Sequence, residues 1–378
     1  MTRKPPRTWS PRAWQGMDCR TFARFVWRHR GAIHPALLPI AVADGLVSLL
    51  NSALGGLEAA LHGDAIRRQP QVTDPVFIIG HWRSGTTLLH ELLALDPGLA
   101  APTIRECFSP HHFLLNGGRA PRWAGLLVPE RRPMDDMRID LTSPAEDEFA
   151  LCLLGARSPY ETIAFPNRGP MRPEMFDPAE FPAAERERWR SAFTTFLKRL
   201  ALARPGRRIL LKSPPHTCRI RTLLDLCPDA AFIHIVRDPL EVFPSMLHTW
   251  RSMFRAHGWQ RFHGRGLEDM VLDIHEYMFD AFERDRGVIP EGRLQEVRYE
   301  ELVADPAGLV DRLRRGLGLT QPDTLEDRVS RYFAERHDFR PNRLQMDPAA
   351  AARVRDRWGP VARRYGYWTA TSSGGAAA

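Results

Sequence analysis

The sequence predicts an α/β fold in which a P-loop-type parallel β-sheet is flanked by helices, with a helical N-terminal extension and a helical insertion. Three observations predict it. The apolar run Val76–Ile79 enters Gly80, a short loop reaches Gly85, and Thr86 and Thr87 open a helix-like Leu88–Leu93. Ile209–Leu211 and Phe232–Val236 are unbroken apolar runs separated by the helix-patterned Ile220–Leu226, as parallel strands buried on both faces and joined by a right-handed crossover require. Residues 100–208 are rich in proline and contain no clear parallel-strand run, so they read as the insertion.

Residues 1–70 form the N-terminal extension. The first 31 carry three prolines and many arginines but no apolar signal core, so no secretory signal is expected and the protein is assigned to the cytoplasm. Residues 33–62 are the most apolar stretch, interrupted by Pro35, Pro39, Asp44 and Asn51. From Leu46 the apolar residues fall at 46, 49, 50, 53, 54, 57, 60 and 61, which is helical spacing. That pattern predicts an amphipathic helix packed on the α/β core, because a membrane span needs about 20 nearly uninterrupted apolar residues. Phe22–Arg30 mixes aromatics with cations as interfacial helices do, so peripheral membrane contact through the extension is the second reading.

The α/β domain occupies 71–368. Asp96-Pro97-Gly98 stops the helix that follows the loop. Inside the insertion, Ser143-Pro144-Ala145-Glu146 reads as a capping box with Ser143 at the N-cap. Asp147 and Glu148 then read as first-turn carboxylates that favour the helix dipole, in preference to catalytic groups. Leu294–Arg298 is a further strand and Leu309–Leu317 a further helix, while 369–378 is small, polar and expected to be disordered.

Lys and Arg outnumber Asp and Glu by 53 to 45 in 378 residues, a net charge of +8. This suits a polyanionic ligand, an acidic acceptor or a membrane surface. No nucleic-acid partner is expected, since no zinc-finger spacing, RNA-binding signature or long basic run is present. Five cysteines without a C-x-x-C fit a reducing compartment and argue against structural zinc, and no metal is expected.

The loop itself is an anion cradle. A nucleoside-triphosphate loop reads G-x-x-x-x-G-K-[ST]. Here Thr86 stands where that Lys belongs and the cation, Arg83, lies inside the loop. Such a loop holds phosphate but is not built for ATP with magnesium. Its Arg-Ser-Gly-Thr-Thr core resembles the 5′-phosphosulfate loop of sulfotransferases that use 3′-phosphoadenosine-5′-phosphosulfate (PAPS). Leu211-Lys212-Ser213-Pro214-Pro215-His216, Arg237-Asp238-Pro239 with Ser245 eight residues beyond Arg237, and Arg298-Tyr299-Glu300-Glu301-Leu302 are similar to three further segments of that family, in the same order.

The resemblance implies that Gly80, Arg83, Ser84, Gly85, Thr86 and Thr87 hold the 5′-phosphosulfate, that Arg237 and Ser245 hold the 3′-phosphate, and that Tyr299 supplies aromatic contact. Arg83 and Lys212 would meet the charge that develops on the leaving oxygen. Two groups are candidates for the base that a hydroxyl acceptor requires, His216 and Glu106, and the sequence does not choose between them. Asp238 either orients Arg237 or caps the next helix. The chain departs from the cytosolic branch of the family at Leu88, where that branch has Trp. It also lacks the Gly-x-x-Gly-x-x-Lys closing motif, for which the basic stretch His337–Arg343 is the nearest analogue. Phe108, Phe113, Trp123, Phe149 and Phe165 in the insertion suggest an apolar or amphiphilic acceptor, among small molecules, glycans and lipids. A nucleotide kinase or NTPase and a non-catalytic nucleotide-binding protein are the competing readings.

Overall fold

The computed structural model describes residues 12–29, 32–115, 140–319, 325–335 and 346–368. Trp123, the stretch 337–343 and the tail 369–378 lie outside them. Two helices, α1 (Cys19–Arg28) and α2 (Leu38–Arg68), precede the sheet. Then come β1 (Val76–Ile79), α3 (Thr86–Leu93), β2 (Leu99–Ala100), α4 (Ile104–Phe108), α5 (Asp147–Leu153), α6 (Glu161–Ala164), α7 (Ala183–Ala203) and β3 (Arg208–Lys212). The second half supplies α8 (Ile220–Leu226), β4 (Ala231–Val236), α9 (Pro239–His257), α10 (Leu267–Asp285), β5 (Leu294–Arg298), α11 (Tyr299–Ala304), α12 (Pro306–Gly316), α13 (Leu325–Ala334) and α14 (Pro348–Arg364).

Five parallel strands lie in the order β2-β3-β1-β4-β5. Val76 pairs with Leu210 on one side and Ala231 on the other, so β1 is central and its C-terminal end opens between β3 and β4. Successive side chains alternate between two apolar layers. Phe77, Leu211 and Phe232 pack with Trp189 and Phe193 of α7. Val76, Ile78, Leu210 and Ile233 pack with Leu89 of α3 and Leu309 and Leu313 of α12. The strands that the apolar runs predict are all present. The two-residue β2, which runs parallel to β3, was too short to read as a run.

Two expectations are corrected. Ser143 does not cap α5: Glu146 occupies the N-cap position with no side-chain capping bond, and Ser143 instead contacts Asp140. The long helix α2 exists, but it is not its apolar face that packs inward. Asp44, Ser48, Asn51 and Glu58 are buried, whereas Leu46, Leu49, Leu50, Leu57 and Leu61 are exposed.

Candidate active site

The loop after β1 is shaped by glycines at two positions where nothing larger fits. Gly80 has φ 131°, and a Cβ there would meet the Ile235 carbonyl oxygen at 2.3 Å. Gly85, at φ 101°, would bring a Cβ within 2.4 Å of the Tyr299 ring. Arg83 between them adopts φ 69°, an uncommon left-handed conformation for a residue with a side chain. Ser84 donates its hydroxyl to the His81 carbonyl at 2.7 Å, and the Gly80 N–H donates to Thr217 Oγ1 at 2.8 Å. The loop is thereby clamped to the turn that follows β3. The bond Leu89 N–H to Gly85 C=O, 3.1 Å, begins the helical ladder of α3, so the N–H groups before it form an N-terminus suited to an anion.

A second cation group converges on the same loop. Arg83 Nε donates to Ser245 Oγ at 2.8 Å, and Arg237 reaches the Arg83 carbonyl at 3.4 Å. The Arg237 guanidinium sits 4.3 Å from the Tyr299 ring centroid, and that same ring limits the space at Gly85. Thus Arg83, Gly85, Arg237, Ser245 and Tyr299, scattered over more than 200 positions of sequence, form one cradle. Asp238 takes the capping role, accepting the Leu240 N–H at 2.9 Å; burial leads the influences that raise its carboxyl above the usual range. A cofactor with two phosphate groups on one nucleoside fits this arrangement: the loop and the α3 N-terminus offer one anion site and the Arg237–Ser245 pair another.

Beside the loop, three consecutive carboxylates from the start of α5 meet a lysine, a histidine and an arginine from β3 and the turn after it. Lys212 Nζ lies 2.6 Å from Glu146 Oε1 and 3.4 Å from Thr87 Oγ1. His216 Nε2 lies 2.7 Å from Asp147 Oδ2, and Asp147 Oδ1 accepts the Ser213 hydroxyl at 2.9 Å. Arg219 donates two bonds to Glu148, at 2.6 and 3.0 Å. Burial would raise the Asp147 carboxyl, but His216 and Ser213 outweigh it and the net direction is down. The acidic triplet, whose second and third members lie in the first turn of α5, is thus also matched rung by rung with Lys212, His216 and Arg219.

Glu146 differs from its two neighbours. Its side chain keeps 13% of its surface, whereas those of Asp147 and Glu148 keep none. Its second oxygen accepts the Tyr160 hydroxyl, whose own oxygen accepts the Trp82 indole N–H at 3.0 Å. Burial, followed by the Glu146 charge, pushes the Tyr160 phenol far up, so it remains a proton donor. His90 nearby is held neutral, lowered to about 3 by burial and then by the Lys212 charge.

Both candidate bases from the sequence lie deeper than Glu146. His216 is fully buried, bonded to Asp147 and flanked edge-on by Phe77 and Phe193. Its ring belongs to the core beneath the sheet. Glu106 is 2% exposed, and its carboxylate is occupied by the Thr103 N–H and hydroxyl and by Arg204 at 2.8 Å. It closes the capping box of α4. Glu146 was passed over because Ser143 and Glu146 have capping-box spacing; only the contact with Lys212, 66 residues away, reveals the alternative.

Comparison with known proteins places the chain among relatives of one kind. A model of the sulfotransferase family matches residues 75–323. Two curated mycobacterial proteins, each described as omega-hydroxy-beta-dihydromenaquinone-9 sulfotransferase Stf3, from Mycobacterium bovis and Mycobacterium tuberculosis, are 38% identical over 361 residues, covering 96% of this chain and 92% of theirs. Among solved structures, sulfotransferase STF9 from Mycobacterium avium superposes with a TM-score of 0.63 at 17% identity, over 93% of this chain and 97% of that one. Sulfotransferase STF1 from Mycobacterium tuberculosis H37Rv gives 0.59 at 16%, over 92% and 94%.

Proposed function

The chain belongs to the sulfotransferase family and is an enzyme of sulfuryl transfer, and from that premise we propose that its donor is PAPS, that Lys212 and Glu146 stand at the transfer centre, and that the acceptor is a hydroxyl on a prenyl-type lipid. The kinase and non-catalytic readings are set aside by the family and by Thr86 at the position of the nucleotide-binding Lys.

The observation that carries the donor assignment is the Arg83–Ser245 bond, 2.8 Å, which joins the phosphate loop to the Arg237–Ser245 pair. When bound, PAPS supplies an electrophilic sulfuryl group and leaves behind a phosphate oxygen. The loop N–H groups, Thr86 and Thr87 hold its 5′ end, and Arg237 and Ser245 its 3′-phosphate. Lys212, bridging Thr87 and Glu146, provides fixed positive charge between loop and acceptor side, present before reaction. Glu146 takes the proton of the acceptor hydroxyl. The Tyr160 hydroxyl donates to one of its oxygens and so orients the other.

The lipid acceptor is supported by the relatives, described as sulfotransferases of an omega-hydroxylated dihydromenaquinone, and by a run of aromatic rings beside Glu146. Phe149 lies 4.8 Å from Tyr160, and Phe108 lies 5.0 Å from Phe149, both half-buried. The insertion 100–208 shapes this acceptor side. The five unpaired thiols fit a reducing, cytoplasmic setting, and the extension makes peripheral membrane contact there. Calorimetry tests the donor: adenosine 3′,5′-bisphosphate should bind, and ATP with Mg²⁺ should bind far more weakly. The reverse order would overturn the assignment.

A further inference from the structure

We propose that the outward face of α2 seats the protein on a lipid bilayer, with the helix lying in the interface and not crossing it. The face is continuous. Val42, Leu46, Leu49, Leu50, Leu57 and Leu61 are each 49–65% exposed. Between Leu38 and Leu61 every exposed residue of α2 is apolar or glycine; charge returns only at Asp64, Arg67 and Arg68. This stretch spans about 36 Å, and soluble monomers rarely leave a continuous aliphatic face of that length uncovered.

The orientation is fixed from behind. Asp44 accepts the Trp259 indole N–H at 3.1 Å, and Asn51 donates to the Met17 carbonyl at 2.9 Å and contacts His112 at 3.1 Å. Glu58 accepts the Leu114 N–H at 2.7 Å. Turning the leucines inward would strip these buried polar groups of their partners. A helix long and apolar enough to cross a membrane is therefore held on the protein surface by its polar side.

The occupant follows from composition. A protein partner would meet aromatic and arginine anchors with hydrogen-bonding groups around them, and the stripe offers none. A bilayer needs only aliphatic surface, with cations and Trp at headgroup level. Trp27 is 70% exposed at the end of α1, and Arg20 and Arg24 lie on the same short helix, whose Arg28 is instead paired with Glu161. Arg67 and Arg68 close α2. The loop tied to α2 through His112 and Leu114 is the continuation of Phe108, whose ring meets Phe149 in the aromatic run that reaches Tyr160 and Glu146. A prenyl chain left in the bilayer could thus present its hydroxyl to the site. That purpose rests on the lipid-acceptor reading; the contact itself does not.

The test is flotation of the full chain with phosphatidylethanolamine–phosphatidylglycerol vesicles, comparing wild type with the double variant Leu46→Glu, Leu50→Glu. Wild type should float, retain part of that binding at high salt, and lose at least about tenfold in the variant. The melting temperature and transfer to a short, water-soluble prenyl alcohol should stay unchanged, which separates membrane docking from the chemistry. Wild type that stays with the aqueous phase would overturn the proposal, as would binding that the variant retains. So would sedimentation showing a lipid-independent dimer that the same two substitutions dissociate, since the stripe would then face a second copy.

Discussion

Lys212 Nζ stands 2.6 Å from Glu146 Oε1 and 3.4 Å from Thr87 Oγ1, so one buried ammonium ties the half-open carboxylate to the helix that begins at the phosphate loop. If that ammonium meets charge formed only in the transition state, Lys212→Ala should depress kcat more than donor affinity. Glu146→Gln should keep the acceptor for Tyr160 yet lower kcat by about 10²–10⁴-fold. Steady-state transfer kinetics with calorimetric donor affinities check both. Equal losses in kcat and donor binding would make Lys212 a plain anion anchor.

Arg237→Ala and Ser245→Ala should weaken adenosine 3′,5′-bisphosphate while sparing adenosine 5′-phosphosulfate. A charge-assisted phosphate bond contributes about 1.5–3 kcal/mol, so the Arg variant should lose about tenfold or more. Because Arg237 also packs on Tyr299, calorimetry with both nucleotides is needed. Parallel losses would show that the pair supports the loop and does not read the 3′-phosphate.

The Asp147–His216 pair should behave as structure, not chemistry. Asp147→Asn disrupts the buried hydrogen bonds that its carboxylate makes with His216 and Ser213, and a buried polar group left unsatisfied costs about 1–3 kcal/mol. Thermal unfolding should record a large loss of stability, while kcat per folded molecule falls far less than in Glu146→Gln. A pH–rate limb that disappears in His216→Asn would reinstate that histidine as the base.

Asp44, buried between α2 and Trp259, is raised from 3.8 to about 6, chiefly by burial. The folded state thus holds this proton more tightly than the unfolded chain. Its ionisation therefore costs stability between about pH 4 and 6, and the penalty persists above that window. The displacement corresponds to about 3 kcal/mol at most. Asp44→Asn lacks the titration, so its melting temperature relative to wild type should climb from pH 4 to pH 7. A difference that is flat across this range would contradict the burial account.

The sheet was legible because strands buried on both faces must be apolar throughout, and Val76–Ile79, Ile209–Leu211 and Phe232–Val236 are. The glycine loop after β1 was legible because Gly80, Gly85 and Arg83 answer to local backbone geometry. The base was not. Periodicity and capping rules act within about one helical turn, and Glu146 acquires its character from Lys212 and Tyr160, which lie far along the chain. For α2 the spacing of leucines identified a face correctly, but spacing alone carries no sign. Which side turns inward was decided by Trp259, Met17, Leu114 and Arg199, the partners that receive its polar groups.

The most direct measurement is transfer of ³⁵S from labelled PAPS to an omega-hydroxylated menaquinone carried in vesicles, run with wild type and Glu146→Gln side by side. Wild type should yield a labelled lipid, and the variant a rate lower by about 10²–10⁴-fold. No labelled lipid from a wild type that binds adenosine 3′,5′-bisphosphate would contradict the acceptor. An undiminished rate with Glu146→Gln would contradict the transfer centre.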